Sequence, residues 1–129
     1  MLFRKRRAED SVRALGPWGE KQAETYLKKK GFRLLERNFQ CRSGEIDLIM
    51  LDQEQALVFV EVKTRAREAF GAVESVITHA KKTRMIRAAR YFLATHSIQD
   101  RPLRFDVVCV LKNQDLPPEI RYYGNAFVP

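Results

Sequence analysis

The sequence predicts an α/β domain with a mixed β-sheet flanked by helices. Segments with helical and strand-like periodicity follow one another in the order helix, three strands, helix, strand, which is typical of this class. The helical segments are amphipathic, so each has an apolar side to bury against the sheet. The length of 129 residues is enough for one compact domain with one hydrophobic core.

The first helix is expected to begin at Gly16-Pro17, because proline suits the first helical position. It should run to about Lys30, and Gly31 suits a C-terminal cap after the basic run that precedes it. Residues 1–15 are expected to form a flexible basic tail, and residues 16–129 a single domain.

Strands and a second helix complete the predicted domain. Residues 52–56 are a short polar stretch between two apolar segments, which is typical of a hairpin loop. Strands are predicted at about 32–41, 45–51, 57–64 and 103–111, a second helix at about 73–96, and a short edge strand at 120–123.

Two neighbouring strands carry charges inside apolar runs. Glu61 and Lys63 interrupt the run 58–63, and Asp47 interrupts the strand before it. Burying an unpaired charge is costly. If the hairpin is symmetric, Asp47 faces Glu61 and Glu45 faces Lys63 on one face of the sheet. Two opposed carboxylates repel each other, so the pair needs a compensating cation.

A divalent metal is the natural cation for this position. Magnesium or manganese takes oxygen ligands, which Asp47 and Glu61 supply, and the Val62 carbonyl could add another. Lys63 would orient or activate the attacking water, or neutralise charge on a phosphate. Glu20 lies beside the apolar stripe of the first helix, where an acid is unexpected, and could complete the metal shell.

Each of these charges also has a structural interpretation. Asp47 with Lys63, or Glu61 with Arg65, would form plain salt bridges at a sheet edge, and Glu45 is expected to pair with a nearby lysine. For any single pair the structural interpretation stays open. The convergence of four ionisable residues on one hairpin and one helix favours a functional site.

The charge balance favours a polyanionic partner. The formal net charge is +8 and the pI is about 9.8, which suits nucleic acid or an anionic membrane surface. Lys81 and Lys82 sit one turn before apolar residues of the second helix, so one of them could reach inward toward phosphate. Together with Arg65 and Arg84 they are the candidate nucleic-acid-binding residues. The alternative is a solvated basic helix face.

The remaining features of the sequence argue against several classes of protein and site. Cys41 and Cys109 belong to no cysteine framework, which favours two reduced thiols in a cytoplasmic protein. No apolar run is long enough to cross a membrane. His79 and His96 lack metal-ligand spacing and are expected at the surface, and no glycine-rich phosphate loop is present. Asp106 interrupts the fourth strand and is expected to bond to an arginine, with a supporting role at the site as the alternative.

The motif set resembles the PD-(D/E)xK nucleases of restriction-endonuclease-like fold, in which an acid in one strand is followed by Glu-x-Lys in the next. More specifically, the chain is similar to the YraN-like family of uncharacterised bacterial proteins, described as distantly related to archaeal Holliday junction resolvases. The resemblance covers roughly residues 16 to 127. The matching blocks are Gly19-Glu20 with Ala23, Tyr26 and Leu27; Gly44 to Ile49; Val58 to Arg65; Lys81; and Arg104 to Val108.

The resemblance implies a restriction-endonuclease-like core with αβββαβ order. It also implies that Asp47 and Glu61 bind metal, that Lys63 is catalytic, and that Glu20 is the helix-borne acid of resolvase-like members. The first acid of the superfamily often follows a proline, whereas Ile46 precedes Asp47 here.

The expected function is that of a magnesium- or manganese-dependent endonuclease acting on DNA, with branched or structured DNA as a candidate substrate. A homodimer is expected by analogy only. One alternative is a module of nuclease-like fold that binds nucleic acid without cutting it. Another is a purely structural protein whose buried charges form internal ion pairs.

Overall fold

The computed structural model describes the backbone of residues 2–66, 77–98 and 100–129, and the side chains of these ranges from residue 15 onward. Within these ranges, no helix is long and apolar enough to span a membrane. The elements are α1 (Leu2–Lys29), β1 (Arg33–Cys41), β2 (Gly44–Leu51), β3 (Leu57–Ala66), α2 (His79–Thr95), β4 (Leu103–Lys112) and β5 (Glu119–Phe127).

The described strands form one five-stranded sheet in the order β1-β2-β3-β4-β5. The β3–β4 pair is parallel and the other neighbouring pairs are antiparallel. A parallel pair needs a crossover connection, and α2 lies in the connection between β3 and β4. The fold is therefore mixed α/β, as predicted, and is consistent with a restriction-endonuclease-like αβββαβ core.

The two helices of the described ranges cover opposite faces of the sheet. Ala23 and Leu27 of α1 pack in one hydrophobic cluster with residues of β2, β3 and β4. Met85 and Phe92 of α2 pack in a second cluster with the alternate residues of the same strands, including Phe59. Because side chains of a strand alternate between the two faces, Glu61 lies on the face that α2 covers.

The predicted bounds of β1 to β4 are confirmed to within two residues. The predicted edge strand is confirmed as β5, although β5 is longer than the expected segment 120–123. Gly31 follows α1 with a φ of 95°, as its predicted role as a C-terminal cap requires. Strand ends were predictable because glycine, proline and polar clusters mark them in the sequence.

The predicted start of the first helix was wrong. The helix α1 begins at Leu2, and Pro17 lies inside it. A proline removes one backbone donor from a helix interior, but Ala8, Ala14 and Leu15 before it are good helix formers, and the helix continues. The division into a flexible tail of residues 1–15 and a domain of residues 16–129 stays a prediction.

The second helix also begins later than predicted. Thr78 caps α2: its backbone is extended, with φ −82° and ψ 162°, and its side chain accepts a hydrogen bond from the backbone N–H of Lys81. The predicted start at Val73 lies outside the described residues. Ile77 misled the prediction, because it is buried in the same core as the helix although it precedes the cap.

Two glycines allow the helices to approach the sheet closely at the predicted site. A Cβ atom on Gly19 of α1 would clash with Oγ1 of Thr64 in β3. A Cβ atom on Gly44 of β2 would clash with the backbone carbonyl of Arg84 in α2. Both helices therefore pack against the same end of the β2–β3 hairpin.

Candidate functional site

A cleft of about 350 Å³ lies at the end of the β2–β3 hairpin, beside α1 and α2. It is named the carboxylate cleft below. All four residues predicted to be catalytic line it, together with two of the predicted nucleic-acid-binding residues. The ionisable side chains of its walls are Glu20, Glu45, Asp47, Glu61, Lys63, Arg65 and Lys81.

The hairpin brings Asp47 next to β3. The backbone pairs 49–59 and 51–57 have the predicted register, but the ladder ends at the pair 48–60. Beyond that point, Oδ2 of Asp47 accepts a hydrogen bond of 2.8 Å from the backbone N–H of Val62. Asp47 and Glu61 are therefore neighbours through their side chains, although they do not form a backbone pair.

Glu61 is a buried acid, with 3% of its surface exposed. Burial, followed by the adjacent Asp47 carboxylate, raises the pKa of Glu61 to about 8. In its protonated form Glu61 donates a hydrogen bond to Asp47. Below about pH 8 the metal-free protein therefore favours the neutral form of Glu61.

Two lysines approach the acids from different elements. Nζ of Lys81 lies 3.1 Å from Oε2 of Glu61 and 3.5 Å from Oε1 of Glu45. Nζ of Lys63 lies 3.8 Å from Oε1 of Glu61. Burial is the largest single effect on Lys81 and lowers its pKa, but the combined attraction of Glu61, Asp47 and Glu45 raises this pKa above its ordinary value. Glu45 thus pairs with a lysine as predicted, although the predicted opposition to Lys63 was wrong.

Glu20 reaches the cleft from α1. Burial and then the charge of Asp47 raise the pKa of Glu20, while a hydrogen bond from the Asn38 side chain acts in the opposite direction. Among the residues that the structure describes, no three His, Cys, Asp or Glu side chains form a group that could hold a metal ion. Glu20 therefore borders the site. The sequence had suggested that it completes a metal shell with Asp47 and Glu61, but the three carboxylates do not form such a group.

The donor set of the cleft fits a divalent cation that keeps several waters. Oε2 of Glu61 is buried and accepts no hydrogen bond of good geometry within the described ranges, although Nζ of Lys81 lies 3.1 Å away. The N–H and C=O groups of one strand residue point to the same side, so the Val62 carbonyl faces β2 as its N–H does. Two carboxylates, one carbonyl and water are ligands that magnesium accepts.

The four predicted nucleic-acid-binding residues do not form one group. Arg65 and Lys81 line the carboxylate cleft. The Nζ atom of Lys82 lies instead 5.6 Å from the ring centre of Phe127. Arg84 is exposed and borders a second depression, beside the β1–β2 turn. The expectation that one of the two adjacent lysines reaches inward is confirmed for Lys81, whereas its contact with phosphate stays a prediction.

Another buried acid stabilises the sheet outside the cleft. Asp106 is fully buried and accepts hydrogen bonds from Arg104 at 2.9 Å, the Tyr122 hydroxyl at 2.5 Å and the Asn125 backbone N–H at 2.7 Å. Arg104 also donates to Asp52 at 2.9 Å. The predicted bond between Asp106 and an arginine is confirmed, and the network joins β4 to β5.

Some features of the site had no signal in the sequence. Asn38 contacts Glu20 and has a φ of 49°, a conformation that asparagine adopts more readily than most residues. The sequence does not show that this asparagine adopts it. The contact between Gly19 and Thr64 depends on how α1 docks on the sheet. His79 and His96 are exposed, as expected.

The fold and the site define an α/β domain with a cluster of acids and lysines in a cleft at one end of its mixed sheet. The chain belongs to the uncharacterised protein family UPF0102, whose family model matches residues 19–110. This is the YraN-like family that the motifs resemble, and the matched segment contains Glu20, Asp47, Glu61, Lys63 and Lys81.

Relatives of this family match most of the chain. A UPF0102 protein of Geotalea uraniireducens (strain Rf4) is 42% identical over 94% of this chain and 96% of its own length. One of Nitrosomonas europaea is 44% identical over 87% of this chain and 92% of its own. One of Janthinobacterium sp. (strain Marseille) is 50% identical over 72% of this chain and 74% of its own.

Proposed function

We propose that this protein is a divalent-metal-dependent endonuclease of the PD-(D/E)xK superfamily that hydrolyses phosphodiester bonds in DNA, with branched or structured DNA as its substrate. The observation that supports this best is the meeting of Asp47, Glu61 and Lys63 in one cleft, where Glu61 is a buried acid. The net charge of +8 suits a polyanionic substrate.

The role of each residue follows from its position in the cleft. Asp47, Glu61 and the Val62 carbonyl would hold magnesium or manganese, which supplies positive charge to a phosphate and acidity to water. Lys63 is half-buried beside Glu61, so its ammonium can bind a phosphate oxygen or orient the attacking water. Glu20 can hold water at the wall that α1 forms.

Lys81 acts as the counter-charge of Glu61 in the metal-free protein when this acid is ionised. Its ammonium lies between Glu61 and the more exposed Glu45. When a divalent cation supplies the charge that Glu61 needs, Lys81 keeps Glu45 as a partner and can turn toward a phosphate of the substrate. Arg65, at the exposed rim of the cleft, provides a further phosphate contact.

Cleavage of labelled linear, nicked and four-way DNA tests the proposal. We expect the wild-type protein to cut at least one substrate with magnesium or manganese and not with EDTA. Asp47→Ala and Glu61→Ala should each lower the rate by about a hundredfold or more, whereas Lys29→Ala, which removes an exposed charge at the end of α1, should leave the rate unchanged. Cleavage that persists equally in both alanine variants would come from a contaminating nuclease and would refute the assignment.

The second candidate function is a module that binds nucleic acid without cutting it. The 3.1 Å ion pair between Lys81 and Glu61 favours it, because this lysine already supplies positive charge at the proposed metal position. The two functions differ in metal linkage. A metal site should raise the melting temperature with manganese, and Asp47→Asn should abolish the rise. Salt-dependent DNA binding without any metal shift would favour the binding module.

Assembly and location are part of the same proposal. Cutting both strands of a branched substrate needs two active centres, so we place a homodimer on the DNA. Cys41 and Cys109 are both free, and unpaired cysteines suit the reducing cytoplasm.

A further inference from the structure

We propose that the exposed face of α2 binds a single-stranded arm of the substrate, with one base stacked on Tyr91 and phosphates held by Arg84 and Arg42. This inference rests on the proposed nucleic-acid function and names the form of DNA that extends from the carboxylate cleft. Four features of the surface support it: its charge, its continuity with the cleft, the exposure of one aromatic ring and the length of the helix.

The helix α2 carries basic residues in every turn except its last. It contains no aspartate or glutamate. Its lysines and arginines are Lys81, Lys82, Arg84, Arg87 and Arg90, and the three arginines are exposed. A helix face that carries only positive charge attracts a polyanion, and a phosphate backbone that lies along the helix can contact several of its side chains.

A continuous surface connects this face to the carboxylate cleft. A second depression, of about 380 Å³, is bordered by Arg42, Ser43 and Arg84. Glu45 borders both this depression and the cleft. The close approach of Gly44 to the Arg84 backbone holds the β1–β2 turn against α2. A strand that leaves the cleft past Glu45 therefore meets two arginines.

Tyr91 lies further along the same helix and is 53% exposed. Its ring centre is 6.2 Å from that of Phe39, which is buried and packs edge-to-face on Phe92 at 5.3 Å. The tyrosine ring is thus supported by the core while much of its surface faces solvent. Stacking of one base on an aromatic ring contributes about 5- to 150-fold to affinity.

The length of the helix fits a short single strand. Lys81 in the cleft and Tyr91 are ten residues apart, which corresponds to about 15 Å along the helix axis. Stacked nucleotides are about 3.4 Å apart, so about four steps cover this distance. The bases of a duplex are paired inside it and cannot stack on an exposed ring, so the arm that reaches Tyr91 is unpaired.

Fluorescence titration of a forked DNA in EDTA tests this inference without cleavage. The fork carries 2-aminopurine in its single-stranded arm, about four nucleotides from the junction, and a blunt duplex of the same sequence is the matched control. We expect wild-type protein to bind the fork more tightly than the duplex. Tyr91→Leu should weaken fork binding by about fivefold or more and change duplex binding by less than about twofold.

Two further variants separate stacking from charge. Tyr91→Phe keeps the ring and should bind the fork as the wild type does. Arg84→Gln should reduce the slope of log affinity against log salt by about 0.7, the value for one phosphate on a single strand. Arg84→Gln and Tyr91→Phe should melt at the wild-type temperature because both side chains are largely exposed. Unchanged duplex binding shows that Tyr91→Leu, which loses the ring contact with Phe39, is still folded.

Three outcomes would overturn the inference: unchanged fork binding in Tyr91→Leu, an equal loss for fork and duplex, or competition by polyglutamate as strong as that by oligo(dT). The readout is independent of hydrolysis. A protein that cuts DNA but binds forks without Tyr91 refutes only this inference. A protein that binds forks through Tyr91 and never cuts refutes only the hydrolytic function.

Discussion

At the scale of single residues, Glu61 and Lys81 set the electrostatics of the carboxylate cleft. A buried acid beside a second acid is unfavourable when ionised, and a buried lysine is unfavourable without a partner. In the metal-free protein each side chain lowers the free-energy cost of burying the other, because Nζ of Lys81 lies 3.1 Å from Oε2 of Glu61. The stability of this pair should therefore respond to pH, to substitution of either partner and to metal.

The raised pKa of Glu61 should make the metal-free protein less stable as pH rises. With a pKa of about 8 in the folded state, Glu61 retains a proton that the unfolded chain releases near its ordinary pKa. The folded state then binds more protons than the unfolded state between about pH 5 and 8, so the free energy of unfolding falls across this window. Glu61→Gln removes the titration and should be more stable than the wild type at pH 8 by about 1–3 kcal/mol.

Urea unfolding in EDTA between about pH 5 and 8.5 measures this difference. The advantage of Glu61→Gln should disappear toward the acidic end, where the wild-type acid is protonated. Glu45→Gln is the matched control, because it removes an exposed carboxylate at the cleft rim and should leave the pH dependence unchanged. A Glu61→Gln variant that is less stable than wild type at pH 8 would support the purely structural ion pair.

Substitution of Lys81 should reveal its role as a counter-charge. Lys81→Met leaves Glu61 without its nearest lysine, so the metal-free protein should lose about 1–3 kcal/mol of stability at pH 8. This loss is smaller than for a buried ion pair whose acid stays ionised, because Glu61 can take up a proton. Manganese should stabilise this variant more than the wild type. Thermal unfolding with and without manganese measures both effects. Lys82→Met should match the wild type, and equal effects at both positions would contradict this role.

Sequence reasoning identified single residues wherever a charge interrupted an apolar run. Asp47, Glu61 and Lys63 were identified in this way, and the structure brings all three into one cleft. The partner of Glu61 was not identified, because the contact of Lys81 depends on the position of α2 against the sheet. The hydrogen bond from Val62 to Asp47 was also hidden, since the sequence does not show where a ladder of backbone pairs ends.

At the scale of helices and strands, close packing of α1 on β3 positions the wall that carries Glu20. Alanine at Gly19 would clash with Thr64, so Gly19→Ala should lower the free energy of unfolding by about 1–3 kcal/mol despite a better helix propensity. Alanine at Gly16 meets nothing within 4 Å outside its chain neighbours, but the ring of Pro17 disfavours a helical alanine before it, so Gly16→Ala should lower the free energy of unfolding by less than Gly19→Ala does. Urea unfolding measures both variants, and equal changes in the free energy of unfolding would refute the close approach of Gly19 to Thr64.

The Asp106 network should affect stability and leave the cleft unchanged. Tyr122→Phe removes the hydroxyl that donates to Asp106 and should lower the free energy of unfolding by about 1–2 kcal/mol. The rise in melting temperature with manganese should equal that of the wild type. A smaller metal response in Tyr122→Phe would connect this network to the cleft and would favour the supporting role considered for Asp106.

Strands were predicted better than helix starts for a physical reason. Turns such as 52–56 mark strand ends with a run of polar residues. A helix start is marked by one residue, and Pro17 is compatible with both a first turn and an interrupted interior. Buried Ile77 continues the apolar period of α2 from outside the helix, so periodicity alone placed the start too early.

At the scale of the whole molecule, the basic charge should dominate DNA affinity. Binding measured in EDTA should weaken steeply between about 50 and 200 mM salt. Arg65→Gln, at the cleft rim, should reduce the slope of log affinity against log salt by about one. Arg101→Gln removes the same charge near Gln55, at the other end of the hairpin, and should change the slope less. Equal changes would show that net charge, and not the cleft, determines binding.

The fold class could be predicted from element order alone, whereas the arrangement of the sheet could not. The helices were expected to flank a mixed sheet, and they cover its two faces. The sheet order and the parallel pairing of β3 with β4 rest on contacts between segments far apart in the chain. Such contacts leave no local pattern in the residues that make them.

This parallel pairing has a consequence for how the protein matures during synthesis. The β2–β3 hairpin is local, so a nascent chain can bring Asp47 and Glu61 together as soon as both strands have left the ribosome. Lys81 arrives later, and β4 joins the hairpin only after α2 has been made. For that interval the two acids have no ammonium from α2 beside them, and a metal ion from the surroundings could occupy their gap before the lysine does.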